Sequence, residues 1–300
     1  MNPYESNPDN IPATDLYVDV PYYGRYCPRP EDFQVDVRHV GSHSPSALHY
    51  WTSVLQLCTE SVRIYPADEG GRDVFALGSI IIKSSHLHDN NDGRITEIDY
   101  SYADANEIQA IAHARSVLDP IRLPKIYFAG KINGRQVLIQ ERLAGVSLAV
   151  AHPYLSETQK ATFKQQAREI LRKLHTQKAP IDVGRDRRHV IKDPHILENG
   201  RIGTLEKEIL FSDAAVDLDM SLMHNDLTPS NLIVNDDRIV GIIDWEMAGF
   251  FGWKTAGEIH SRIRTPQREH FANAGLSEEK LQDIMWWNDL YDEGIPESSE

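Results

Sequence analysis

Three short apolar runs, residues 61–65, 73–77 and 79–83, are separated by Asp68-Glu69-Gly70-Gly71 and by Gly78, which predicts three strands joined by turns. Two further runs, residues 125–129 and 135–140, flank Asn133-Gly134, a strong hairpin signal. Between these groups Ile108, Ile111, Ala112 and Leu118 recur near helical spacing over residues 103–118, and Pro120 ends the pattern. A shorter helix is predicted over residues 47–58, with Leu48, Trp51, Leu55 and Leu57 largely on one side. Ahead of it, residues 1–44 carry Pro3, Pro8, Pro12, Pro21, Pro28 and Pro30, spaced so that no long helix forms, and they read as an extended arm.

The second half is mainly of helical period. Ser156 and Gln159 form a capping box, after which Phe163, Ala167, Ile170, Leu171 and Leu174 make one face of a long helix ending before Pro180. Helices are also predicted over residues 204–218, 254–264 and 277–292. A basic cluster, Arg185, Asp186, Arg187, Arg188 and His189, lies between the first two of these four helices and reads as a solvated loop.

Within this half, short apolar runs enclose His224, Asn225, Asp226 and Asn231, and Asp236-Asp237 turns the chain so that residues 239–243 lead back to Asp244. Phosphoryl transfer to a hydroxyl needs a carboxylate to orient the nucleophile and take its proton, and hard oxygen ligands to hold Mg²⁺ against the phosphates. Asp226 suits the first role. Asn231, five residues on, and Asp244 suit the second. His224 has two readings: a general base, or a buried support for the loop.

This stretch resembles the aminoglycoside phosphotransferase and choline kinase branch of the protein-kinase-like fold. The match is carried by His224-Asn225-Asp226, by Asn231, and by Ile243-Asp244-Trp245-Glu246 in place of Asp-Phe-Gly. The stretch from Trp245 onward is most similar to fungal-type members. The resemblance implies an α+β fold of two lobes, a small β-rich N-lobe over residues 45–143 and a larger, mainly helical C-lobe over residues 144–300. It implies that Lys83, the first lysine in the chain, reaches the α and β phosphates of ATP, with Glu107, or failing that Asp104, holding it. It also implies that the Glu141 carbonyl and the Leu143 amide meet the adenine base, and that His224 supports the loop. The loop over residues 66–72 departs from the spaced-glycine pattern of protein kinases, and its phosphate role is weak.

The function implied is transfer of the γ-phosphoryl group of ATP, with Mg²⁺, to a hydroxyl of a small molecule. A catalytically inactive nucleotide-binding protein is the alternative, and a protein kinase is disfavoured because no Ala-Pro-Glu stretch follows Asp244. At 300 residues and 41% hydrophobic content the chain has enough apolar material for a globular core of two lobes. It has no apolar run of about 18 residues and a polar start, so a cytoplasmic protein without a membrane partner is expected. Cys27 and Cys58 suit neither a disulfide framework nor a zinc site. A net charge of −14 argues against a nucleic-acid partner. Phe250, Phe251, Trp253, Trp286 and Trp287, with Glu258, Asp289 and Asp292, either line a pocket for a cationic acceptor or belong to core and surface respectively.

Overall fold

The computed structural model describes residues 2–67, 71–88, 98–180, 188–198, 201–211 and 219–293. In chain order, Arg25–Tyr26 forms β1, Pro45–Leu55 α1, Arg63–Tyr65 β2, Asp73–Leu77 β3, Ile80–Ser84 β4, Ser101–Arg115 α2, Ile126–Ile132 β5 and Arg135–Glu141 β6. Strands β2 to β6 build a five-stranded antiparallel sheet in the order β2-β3-β4-β6-β5. Side chains alternate across a strand. Ile80 and Ile82 of β4 are buried with Phe75, Val137 and Ile139 in a core that Ala47, Trp51 and Val54 of α1 complete. Ile81 and Lys83 therefore face the opposite side, where both line a cleft. Gly78 makes the β3 to β4 turn possible: its φ is +51°, and a Cβ there would lie 2.3 Å from the Phe33 amide nitrogen.

Beyond the sheet lie β7 (Gly145–Ser147), α3 (Leu148–Ala151), α4 (Glu157–His175), β8 (Arg188–His189), α5 (Thr204–Phe211), β9 (Ser221–Met223), β10 (Leu232–Asn235), β11 (Arg238–Ile242), β12 (Gly249–Phe251), α6 (Trp253–Ile259) and α7 (Glu278–Ile284). The capping box at Ser156 and Gln159 starts α4, which buries Phe163, Ala167, Ile170, Leu171 and Leu174 in the larger core. Helix α6 runs on into a π-helical turn, His260–Arg264. The result is an α+β architecture with two cores, one beneath the five-stranded sheet and a larger one in the mainly helical part, in line with what the resemblance implies. Among the described residues no helix is long and apolar enough to cross a membrane.

Some elements differ from expectation. The predicted helix over residues 277–292 ends at Ile284 and continues as turns. That over residues 204–218 is described only to Phe211, and the reading of 212–218 lies outside the described residues, as do Asp68, Glu69, Gly70, Arg185, Asp186 and Arg187. Helix α2 buries more than its apolar pattern suggests: Ile111 is buried as the pattern implies and Ala112 is exposed, while Asp104, Asn106 and Glu107 are buried as well, beside Ala103, Ala110 and Ala114. Charge and amide partners on neighbouring elements make that burial tolerable. In the first 44 residues, Tyr4, Asp15, Arg25 and Tyr26 are buried, and β1 pairs with β7 in a sheet ordered β1-β7-β10-β11.

Candidate active site

The β10 and β11 hairpin sets the geometry. Asp236 and Asp237 turn it with φ of 47° and 57°, a conformation short Asp side chains tolerate. Asn231 precedes β10 and Asp244 follows β11, so the pairing of Leu232 with Ile242 brings them side by side, and the Ile243 amide donates to the Asn231 carbonyl at 3.0 Å. Asp244 itself sits at φ 65°, in the left-handed region that Asp adopts more readily than most residues and that recurs at functional sites.

Between β9 and β10 the loop is held from within. The Asn231 amide nitrogen donates to the Asp226 carbonyl at 2.9 Å and to Asp226 Oδ2 at 3.0 Å. His224 is fully buried; its Nε2 faces the Ile243 carbonyl at 3.1 Å and its Nδ1 receives the Asp226 amide at 3.3 Å. That pattern requires a neutral ring with the proton on Nε2. Burial agrees, lowering the His224 pKa to about 4. With both nitrogens engaged, His224 supports the loop.

Lys83 reaches across from β4. Its Nζ lies 3.2 Å from Glu107 Oε2 and 2.8 Å from Asp244 Oδ1. Burial works to lower the Lys83 ammonium pKa, but Asp244 and Glu107 hold it above its ordinary value. Glu107 is wholly buried behind the lysine, and burial raises its carboxyl against the pull of Lys83. Asp226 is likewise pushed up, to about 7, by burial and by Asp244 and Glu246, against Arg264 and the Asn231 hydrogen bond.

Lys83, Asp226, Asn231, Asp244, Glu141 and Leu143 all border one cleft of about 520 Å³. Glu107 touches it through Lys83. Asn231 and Asp244 offer hard oxygens suited to Mg²⁺: Asn231 spends its nitrogen on Asp226, which leaves its amide oxygen, and Asp244 Oδ2 is not the atom on Lys83. No cluster of three or more His, Cys, Asp or Glu able to hold a metal ion occurs among the described residues. Two protein oxygens completed by phosphates and water is how Mg²⁺ is commonly bound.

A sequence model of the phosphotransferase enzyme family matches residues 94–250, more than half of the chain. The chain belongs to that family. The match takes in Glu107, Glu141, Leu143, Asp226, Asn231 and Asp244 of this phosphotransferase, while Lys83 and the first 44 residues lie outside it. No curated protein sequence matches the chain. Solved structures to which it is similar include APH(2")-IIa in complex with gentamicin, at 14% identity and a TM-score of 0.47, over 83% of this chain and 82% of that one. Another is macrolide 2'-phosphotransferase MphH from Brachybacterium faecium, at 13% identity and a TM-score of 0.42, covering 81% and 84%. APH(3'')-Id from Streptomyces rimosus is 15% identical with a TM-score of 0.41, covering 82% and 97%.

Sequence patterns left several residues in and around the cleft unseen. Arg72 borders the cleft, pairs with Asp104 of α2 at 2.8 Å, and lies over the Tyr100 ring at 4.0 Å. Asn106 donates to the carbonyls of Glu246 and Ala248, both at 2.9 Å, tying α2 to the segment after Asp244. Arg264 donates to the Asn225 carbonyl at 3.0 Å, lies 3.5 Å from Asp226 Oδ1, and pairs with the buried Glu206. A polar residue on the buried side of a helix was the one available signal, and only for Asn106.

Among the described residues the aromatic side chains do not gather around one acceptor pocket, although Trp286 and Asp289 border a small cavity with Lys164 and Arg268. Phe250, Phe251, Trp253 and Trp287 lie in the core, and the Trp287 indole donates to the Leu227 carbonyl at 2.9 Å beneath the loop. Trp286 stacks on His152, Glu258 pairs with Arg262, and Asp289 pairs with Lys164. Large rings next to a hydrophobic stretch gain more by filling the core than by facing solvent.

Proposed function

We propose that this phosphotransferase moves the γ-phosphoryl group of ATP to a hydroxyl group of a small molecule. The observation that carries the reading is the meeting of Lys83, from one lobe, with Asp244, from the other, at 2.8 Å in the cleft that Asp226 also borders. In this reading Asp226 orients the acceptor hydroxyl and takes its proton as the oxygen attacks the γ phosphorus. The bond to the bridging oxygen breaks and ADP leaves. Lys83, backed by Glu107, neutralises the α and β phosphates. Asn231 and Asp244 would hold Mg²⁺, which when bound offsets phosphate charge. The Glu141 carbonyl and Leu143 amide receive the base. Rate enhancement then comes from positioning and charge placement rather than from a covalent intermediate.

The test is Asp226→Asn, assayed for ADP release across a panel of small hydroxyl compounds, with ATP binding followed by thermal shift in Mg²⁺ and in EDTA. Turnover should fall by roughly 10³-fold. Stabilisation by ATP should persist and depend on Mg²⁺. Turnover near the parent rate, or ATP stabilisation indifferent to the metal, would overturn the reading.

A further inference from the structure

Part of the cleft is walled by the N-terminal arm. Residues 22–26 border it together with Glu141, Arg142 and Leu143. This arm lies outside the part of the chain that the family model matches. It is nonetheless built into the fold: β1 pairs with β7, so that Arg25 faces Val146 and Tyr26 faces Gly145, and the Ser147 amide donates to the Gly24 carbonyl at 2.6 Å. Arg142, directly between the two residues proposed to meet the base, is buried and clasps the arm. Its Nη2 donates to the carbonyls of Tyr22 and Arg25 at 2.9 and 2.8 Å, and its guanidinium lies over the Tyr26 ring at 4.6 Å. Behind the wall, Arg25 is anchored on Asp15 at 2.5 Å and on the Glu5 carbonyl at 3.0 Å. Tyr23 is held by stacking on Tyr17, with ring centroids 5.1 Å apart, and like Tyr65 at the end of β2 it borders the cleft.

We propose that the arm is a component of the nucleotide site, with Tyr23 stacking on the purine base and Arg142 clasping this wall to the segment that carries the base's hydrogen-bonding groups. The inference rests on the nucleotide reading above. Stacking on a ring already held in place is favourable and reads the flat face of a base rather than its edge. The wall is braced because a buried, planar guanidinium satisfies three carbonyls at once, the third being that of Gly78 at 3.3 Å.

The full-length chain and its Tyr23→Ala variant are compared by calorimetric titration with Mg²⁺-ATP and with Mg²⁺-tripolyphosphate, which lacks a base. The expected result is a roughly tenfold weaker ATP affinity with tripolyphosphate affinity unchanged. ATP affinity within twofold of the parent, or equal weakening of both ligands, overturns the proposal. A parent chain that binds no ATP overturns the nucleotide reading along with it, whereas a parent that binds ATP beside an unaffected variant overturns the arm proposal alone. Should the variant not fold, photolabelling of the unsubstituted chain with 8-azido-ATP decides: label in the peptide carrying Tyr22 and Tyr23 supports the proposal, and label confined to other segments overturns it.

Discussion

Lys83 Nζ and Asp244 Oδ1 lie 2.8 Å apart although 161 positions separate them in the chain. Lys83→Met removes the cation while keeping most of the unbranched side chain, and abandons the buried Glu107 carboxylate. Nucleotide turnover is expected to drop about a hundredfold or more. Steady-state ADP release measures it, and a change of less than threefold would contradict the proposed role.

Arg264 ends the π-helical turn and reaches three places: Glu206, the Asn225 carbonyl, and the neighbourhood of Asp226. A lysine cannot reproduce that planar fork. Arg264→Lys should therefore lower kcat roughly tenfold or more while KM for the nucleotide stays within about twofold. Since Asn225 holds a left-handed φ of 60°, loss of the bond to its carbonyl loosens a tight turn at the base of the loop. Because loss of folded enzyme would also lower the apparent kcat at unchanged KM, the thermal midpoint of the variant is measured alongside, and a midpoint well below the parent's would point to misfolding instead.

Gly145 has φ of 130°, and a Cβ there would lie 2.7 Å from the Val234 carbonyl oxygen and 2.8 Å from Ile233 Cγ2. Gly145→Ala forces β7 away from β10. The expected destabilisation is about 1–3 kcal/mol, read from the urea midpoint. Because Gly145 also borders the cleft, ATP affinity should fall in the same variant.

Acid should weaken the fold through buried neutral histidines. Burial lowers the pKa of His260 to about 4 and of His189 to about 3. The Trp287 carbonyl, Asp289 and Asp292 pull His260 upward and Arg264 pushes it down, while Arg201 and Arg264 push His189 down. Both folded-state values lie below the ordinary one, so the unfolded chain binds protons first. Stability is full above about pH 6.5 and is lost as pH falls, to about pH 4 for His260 and about pH 3 for His189. The loss from His260 is on the order of 3 kcal/mol at most. Urea unfolding at pH 7 and pH 5 checks this. His260→Gln, which keeps a donor for the Trp287 carbonyl 2.9 Å away, should show a shallower decline.

How much was legible follows from how local each feature is. Strand alternation put Lys83 opposite Ile80 and Ile82, and the Asp236-Asp237 turn between two apolar runs put Asn231 next to Asp244. Such features depend on near neighbours in the chain and on a period of two or a tight turn. Helix α2 and the burial of Ile111 were legible, but the full width of its buried face was not, because Asp104, Asn106 and Glu107 become tolerable inside only once Arg72, the Glu246 and Ala248 carbonyls and Lys83 arrive from elsewhere.

The amino-acid sequence by itself determined most of the longer strands and helices and the loop from His224 to Asp244, since each is written in spacing that the backbone must obey, while the lysine strand was pointed to by the family resemblance. Tertiary structure alone decided that Trp287 supports the loop from the core, that Arg264 stands beside Asp226, and that the arm closes one wall of the cleft. Those outcomes turn on which distant polar groups and ring faces satisfy one another after collapse, and no local pattern records that pairing.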